Sequence, residues 1–111
     1  MDTTMNKKER TKARTENIKK YHTPGCQNYV KRAKNAVFIS PSNSLKHELK
    51  KLEVCYELRE QGNVFITEAV RNKKEDGKDR RVDVVNLDTC DEIEIETDKK
   101  VCKPGAITIY I

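Results

Sequence analysis

At 111 residues the chain is long enough for one compact domain and too short for two. Charged residues make up 37% and hydrophobic residues 35%, with a mean hydropathy of −0.88, which excludes a large apolar core. Residues 1–40 hold ten basic and three acidic residues, a net +7, whereas residues 41–111 carry −2, and no apolar run approaches the roughly 18 residues of a membrane span.

Residues 1–36 read as a basic arm. They lack a helical apolar stripe, so the arm is either flexible or helical only when bound. Its cations Lys7, Lys8, Arg10, Lys12, Arg14, Lys19, Lys20, Lys31 and Arg32 suit the phosphate backbone of DNA, with Arg81 joining them from the domain. A solvated tail is the plainer reading of the same charges. Tyr21 and Tyr29 suit either base contact or packing. Pro24-Gly25 marks a turn.

The domain proper spans 37–111. Its opening run, Ala36-Val37-Phe38-Ile39, suits an edge strand or a strap joining the arm to the core. Ser44 is the expected N-cap of a helix from Leu45 to about Gln61, with Gly62 at the left-handed position after it. Leu45, Leu49, Leu52, Tyr56 and Arg59 form the expected core stripe, widened by Val54, Cys55 and Leu58. His47, in the first turn, is expected to be exposed.

Four strands follow: Asn63–Val70, Arg81–Leu87, Glu92–Thr97 and Ala106–Ile111. The polar loop 71–80 closes the first pair, and the last strand is apolar enough to need burial. The expected architecture is α+β: a helix, a three-strand meander and a further strand in one mixed sheet. The four cysteines lack metal-site spacing, so zinc is not expected. Cys55 belongs in the core, and Cys90 and Cys102 are placed to pair in an oxidising compartment. The chain starts at Met1 without an apolar leader, which reads as cytoplasmic, in the host cell if the protein is viral.

The chemistry gathers on two strands. Period two puts Glu92, Glu94 and Glu96 on one face of EIEIET, with Ile93 and Ile95 on the other. Asp83, set among valines on the preceding strand, then meets Glu94 or Glu96 across the pair. Adjacent carboxylates repel unless a cation neutralises them, and their hard oxygens suit Mg²⁺ or Mn²⁺. A solvated acidic strand face is the alternative.

The helix HELKKLEVCYELREQGN, the strand VFITEA and the stretch RRVDVVNLDTCDEIEIETDKK resemble the PD-(D/E)xK nuclease superfamily. They are most similar to small archaeal and archaeal-virus members related to Holliday-junction resolvases. The resemblance implies a restriction-endonuclease-like core and a Mg-dependent endonuclease or exonuclease acting on branched or duplex DNA as a homodimer. It matches Asp83 and Glu94 to the family's two acids. Glu48 or Glu53 would be the helix acid many members carry, with Glu48 as a further metal ligand, and Glu68 is another candidate. Glu96 stands where the family has a catalytic lysine. Lys99, Lys100 or Lys50 would then take the lysine's role, Lys99 foremost. The alternatives are a non-cleaving nucleic-acid-binding protein on that scaffold, or an assembly module that pairs through its last strand.

Overall fold

The computed structural model describes residues 6–22, 34–71, 81–97 and 105–111. Two helices, α1 (Lys7–Ile18) and α2 (Leu45–Glu60), accompany five strands: β1 (Tyr21–His22), β2 (Phe65–Arg71), β3 (Arg81–Asn86), β4 (Asp91–Glu96) and β5 (Ala106–Tyr110). They form one sheet in the order β1-β2-β3-β4-β5. The first four strands are antiparallel neighbours, and β5 runs parallel to β4. The fold is therefore α+β, with the expected helix, three-strand meander and further strand in one mixed sheet. No helix among the described residues is long and apolar enough to cross a membrane.

Alternation along the strands builds two cores, one on each face. Ile66, Val85 and Leu87 pack with Ile18 and Tyr21 from the N-terminal segment. Phe65, Val84, Ile93 and Ile95 pack with Val54, Cys55 and Leu58 of α2. The stretch at 36–40 forms no strand. It is the strap: Thr67 Oγ1 donates to Ala36 O at 2.9 Å, and Phe38 N donates back to Thr67 Oγ1 at the same distance.

α1 forms without an apolar stripe. Asn6 caps it by accepting from Glu9 N, and Ile18 is its one buried residue. Polar bonds hold the helix in place. Arg14 pairs with Asp88 at 2.9 Å and also donates to Gly62 O, while Asn17 Nδ2 donates to Leu87 O. Asp88 accepts Val64 N as well, so one turn aspartate latches both α1 and the start of β2. In this structure Lys7–Ile18 and Tyr21–His22 are thus docked as helix and strand onto the sheet.

α2 starts and stops where expected. Ser44 accepts from His47 N, and Gly62 takes φ +80 after the last turn. Its rotation about its own axis differs from expectation. The buried side is His47, Lys51, Val54, Cys55 and Leu58, and the leucine stripe faces outward. The rotation carries the helix's first two turns over a polar cleft, where His47 and Lys51 find oxygen partners. Only the short Val54–Leu58 patch meets the apolar sheet. β5, expected to be buried, lies at the sheet edge with Ile107 exposed.

Candidate functional site

The site arises where two strand ladders part. The β2–β3 register pairs Thr67 with Val84 and Ala69 with Val82, leaving Glu68 opposite Asp83. Glu68 adopts φ 49, a left-handed conformation uncommon for a residue with a Cβ. The kink reverses the alternation locally: Val82 and Val84, two residues apart, join opposite cores. The β3–β4 pairing ends at Val84–Ile93. Beyond it, the Asp83 side chain takes the place of a backbone carbonyl, its Oδ2 accepting from Ile95 N at 2.8 Å.

The splayed strands open a polar cleft of ≈ 310 Å³. Asn43 and His47 line it from the start of α2, Glu68 from β2, Arg81 and Asp83 from β3, and Glu94 and Glu96 from β4. Asp83, Glu94 and Glu96 are therefore brought to one cleft. Glu92 is drawn away from them. Its carboxylate accepts from the Tyr21 hydroxyl at 2.7 Å and pairs with Arg71. Burial together with Glu92 pushes the Tyr21 hydroxyl well above the usual phenol range. Tyr21 is thus a core residue and is closed to base contact.

Glu68 is the most unusual group in the cleft. It is 3% exposed, and its Oε1 makes no hydrogen bond. Burial raises its pKa, Lys51 at 3.7 Å offsets that in part, and the neighbouring Asp83 charge raises it further.

Lys51 is fully buried, although the sequence singles out Lys50 beside it. Its Nζ donates to Phe38 O at 2.7 Å and forms an ion pair with Glu48. Lys50 instead lies near the surface, paired with Glu53 at 2.9 Å. The signal available was a second helical stripe, His47-Lys51-Val54-Cys55-Leu58, hidden by its two polar members.

His47 is buried, contrary to expectation. Its Nε2 lies 3.0 Å from Ile95 O and 3.5 Å from Asp83 Oδ2, and its Nδ1 lies 3.1 Å from Glu48 Oε1. All three neighbours are acceptors, so the ring ties α2 to the mouth of β4.

Glu48 was expected to hold metal, but its oxygens are already engaged. Asn43 Nδ2, Ser40 N and Lys51 all bond to it. Burial would raise its pKa, yet these donors outweigh that and hold it below the usual carboxylate range. It anchors the cleft wall and does not line the cleft. Glu53 is exposed on the far side of the helix.

Among the described residues, no three His, Cys, Asp or Glu side chains converge tightly enough to enclose a metal ion. That does not conflict with magnesium chemistry, because Mg²⁺ is commonly held by one or two carboxylates, with water and substrate phosphate completing its shell. Buried Glu68, with an oxygen lacking a hydrogen bond beside the Asp83 charge, fits such a donor set.

The basic residues divide. Lys7, Lys8, Lys12, Lys19 and Lys20 are exposed on or just after α1, and Arg10 is partly covered. Arg14 pairs with Asp88 and donates to Gly62 O, so it serves as a structural anchor. That anchor lies at the turn end of the β3–β4 hairpin, whereas Asp83 and Glu96 lie at the open end. Among the described residues of this set, Arg81 alone lines the cleft. Pro24, Gly25, Tyr29, Lys31, Arg32, Lys99, Lys100 and Cys102 lie outside the described residues, as do residues 72–80 and 98–104 as a whole; Cys90 is a free thiol.

Comparison with protein-family models, with curated proteins and with solved structures finds no match to this chain.

Proposed function

We propose that the cleft is a divalent-metal centre, taking Mg²⁺ or Mn²⁺, that hydrolyses phosphodiester bonds in DNA. The observation that carries this reading is the Glu68–Asp83 pair: two carboxylates side by side at a break in the ladder, one of them buried with an oxygen that makes no hydrogen bond. Asp83 and Glu68 would hold the ion, with Glu94 adjoining. The bound ion supplies Lewis-acid polarisation of a phosphoryl oxygen and a more acidic water.

The chain's own residues do the rest. His47 and the Ile95 amide fix Asp83 in place. Lys51 supplies the positive charge behind Glu68 and Glu48. Arg81, on the open side, meets a backbone phosphate. Glu96, half-buried at the mouth, is placed to orient the attacking water. The exposed lysines of α1 add affinity for the phosphate backbone at a distance from the cleft.

The test is cleavage of supercoiled, linear and branched DNA with Mg²⁺ or Mn²⁺. Asp83→Asn keeps an acceptor for Ile95 N while removing the charge, and it is expected to lower cleavage by about 100-fold or more, the scale of a lost preorganised group. Cleavage by Asp83→Asn at the wild-type rate ends the proposal. A second reading, binding without cleavage, is favoured by Glu96 at the position where the resembling family carries lysine. DNA binding that persists in EDTA, with no cleavage of any substrate, selects it.

A further inference from the structure

The outward face of α2 carries Leu45, Leu49, Leu52 and Tyr56, which are 75%, 56%, 49% and 57% exposed. They follow one another at intervals of four, three and four residues, the spacing of a coiled-coil seam. This seam lies on the opposite side of the helix from the stripe that packs on the sheet, and among the described residues it stays exposed. We propose that it is the interface for a second copy of this chain, packed antiparallel along α2 about a two-fold axis near Leu52.

Charge decides the occupant and its direction. Beside the seam, the first half of the helix presents Lys46 and Lys50, and the second half presents Glu53, Glu57 and Glu60. A parallel pair would gather the lysines of both helices at one end and the glutamates of both at the other. An antiparallel pair sets Lys46 against Glu60 of the partner, twice by symmetry, and also opposes the two helix dipoles. Leu52 then packs on its own copy and Leu49 on Tyr56. Arg59, stacked on the Tyr56 ring at 5.6 Å, covers the seam's end beside the partner's Leu45. The like pair near the axis, Glu53 with its copy, brings its own counter-ion, Lys50, at 2.9 Å.

One helix face is less than a standard interface, so the dimer is reversible. Each cleft sits at the start of its α2, so the antiparallel arrangement puts the two clefts at opposite ends of the seam, separated by roughly 20 Å of helix. The inference is independent of what the cleft does.

The test is sedimentation of the full chain across a concentration series, with chemical cross-linking of cysteine variants. Wild type is expected to approach twice the 12.9 kDa chain mass as concentration rises. Leu52→Glu places two charges on the axis and should leave the monomer, with circular dichroism unchanged because the side chain is half in solvent. Lys46→Glu should weaken the dimer, and Lys46→Glu with Glu60→Lys should restore it. Under mild oxidation Leu52→Cys should link to its copy and Leu45→Cys should not. A strictly monomeric wild type at millimolar concentration overturns the proposal. So does a dimer that survives Leu52→Glu, or Leu45→Cys linking as readily as Leu52→Cys.

Discussion

At the scale of single residues, the cleft is organised around charges that the fold keeps out of water. Glu68 is raised by burial, so its ionisation opposes folding at neutral pH; the stability it gives is full at acid pH and lost as pH rises through its folded pKa. Glu68→Gln is therefore expected to melt higher than wild type at pH 7 without metal and to lose that advantage toward pH 4. Mn²⁺ should then stabilise wild type and leave the variant unchanged, as differential scanning calorimetry can record. Glu48 has the opposite sign. Held below its unfolded value, it stabilises the fold above about pH 4.5, and that contribution fades as pH falls through the folded pKa. Glu48→Gln should flatten the acid limb of the stability curve. Lys51→Ala leaves two buried carboxylates without their cation and should cost about 3–5 kcal/mol in denaturant titration.

Secondary-structure elements differ in how much of their placement can be read from sequence. α2 was legible at both ends, because Ser44 and Gly62 act through local backbone geometry. Its rotation was not. Three leucines and a tyrosine at coiled-coil spacing outweigh Val54, Cys55 and Leu58 in any count of apolar residues, yet the helix turns to engage His47 and Lys51. α1 was illegible as a docked element because Ile18 is its one apolar anchor and Asp88, 74 residues from Arg14, holds the rest. Arg14→Ala should cost about 1 kcal/mol for a partly exposed pair. It should also speed amide exchange through α1 far more than through β3, measured by hydrogen–deuterium exchange. Asp83 and Glu94 could be picked out because acids inside β-rich segments are chemically out of place. The kink at Glu68 could not, since a positive φ at a glutamate leaves no mark in the sequence.

For the whole molecule, one sheet separates two tasks. On one face, Ile18 and Tyr21 tether the basic N-terminal segment to the core. On the other, α2 covers the second core with one side and offers the leucine seam with its opposite side. The cleft opens at the end of the sheet remote from the Asp88 latch, where β2 kinks at Glu68 and the β3–β4 pairing stops at Val84–Ile93. The basic helix is latched at the turn end of the β3–β4 hairpin, and the acidic cleft lies at its open end. The most direct test of the proposed metal centre is calorimetric titration of Mn²⁺ into wild type, Glu68→Gln and Asp83→Asn. Saturable binding by wild type, weakened tenfold or more in both variants, is the expected result. Equal affinity in all three, or none in wild type, would contradict it.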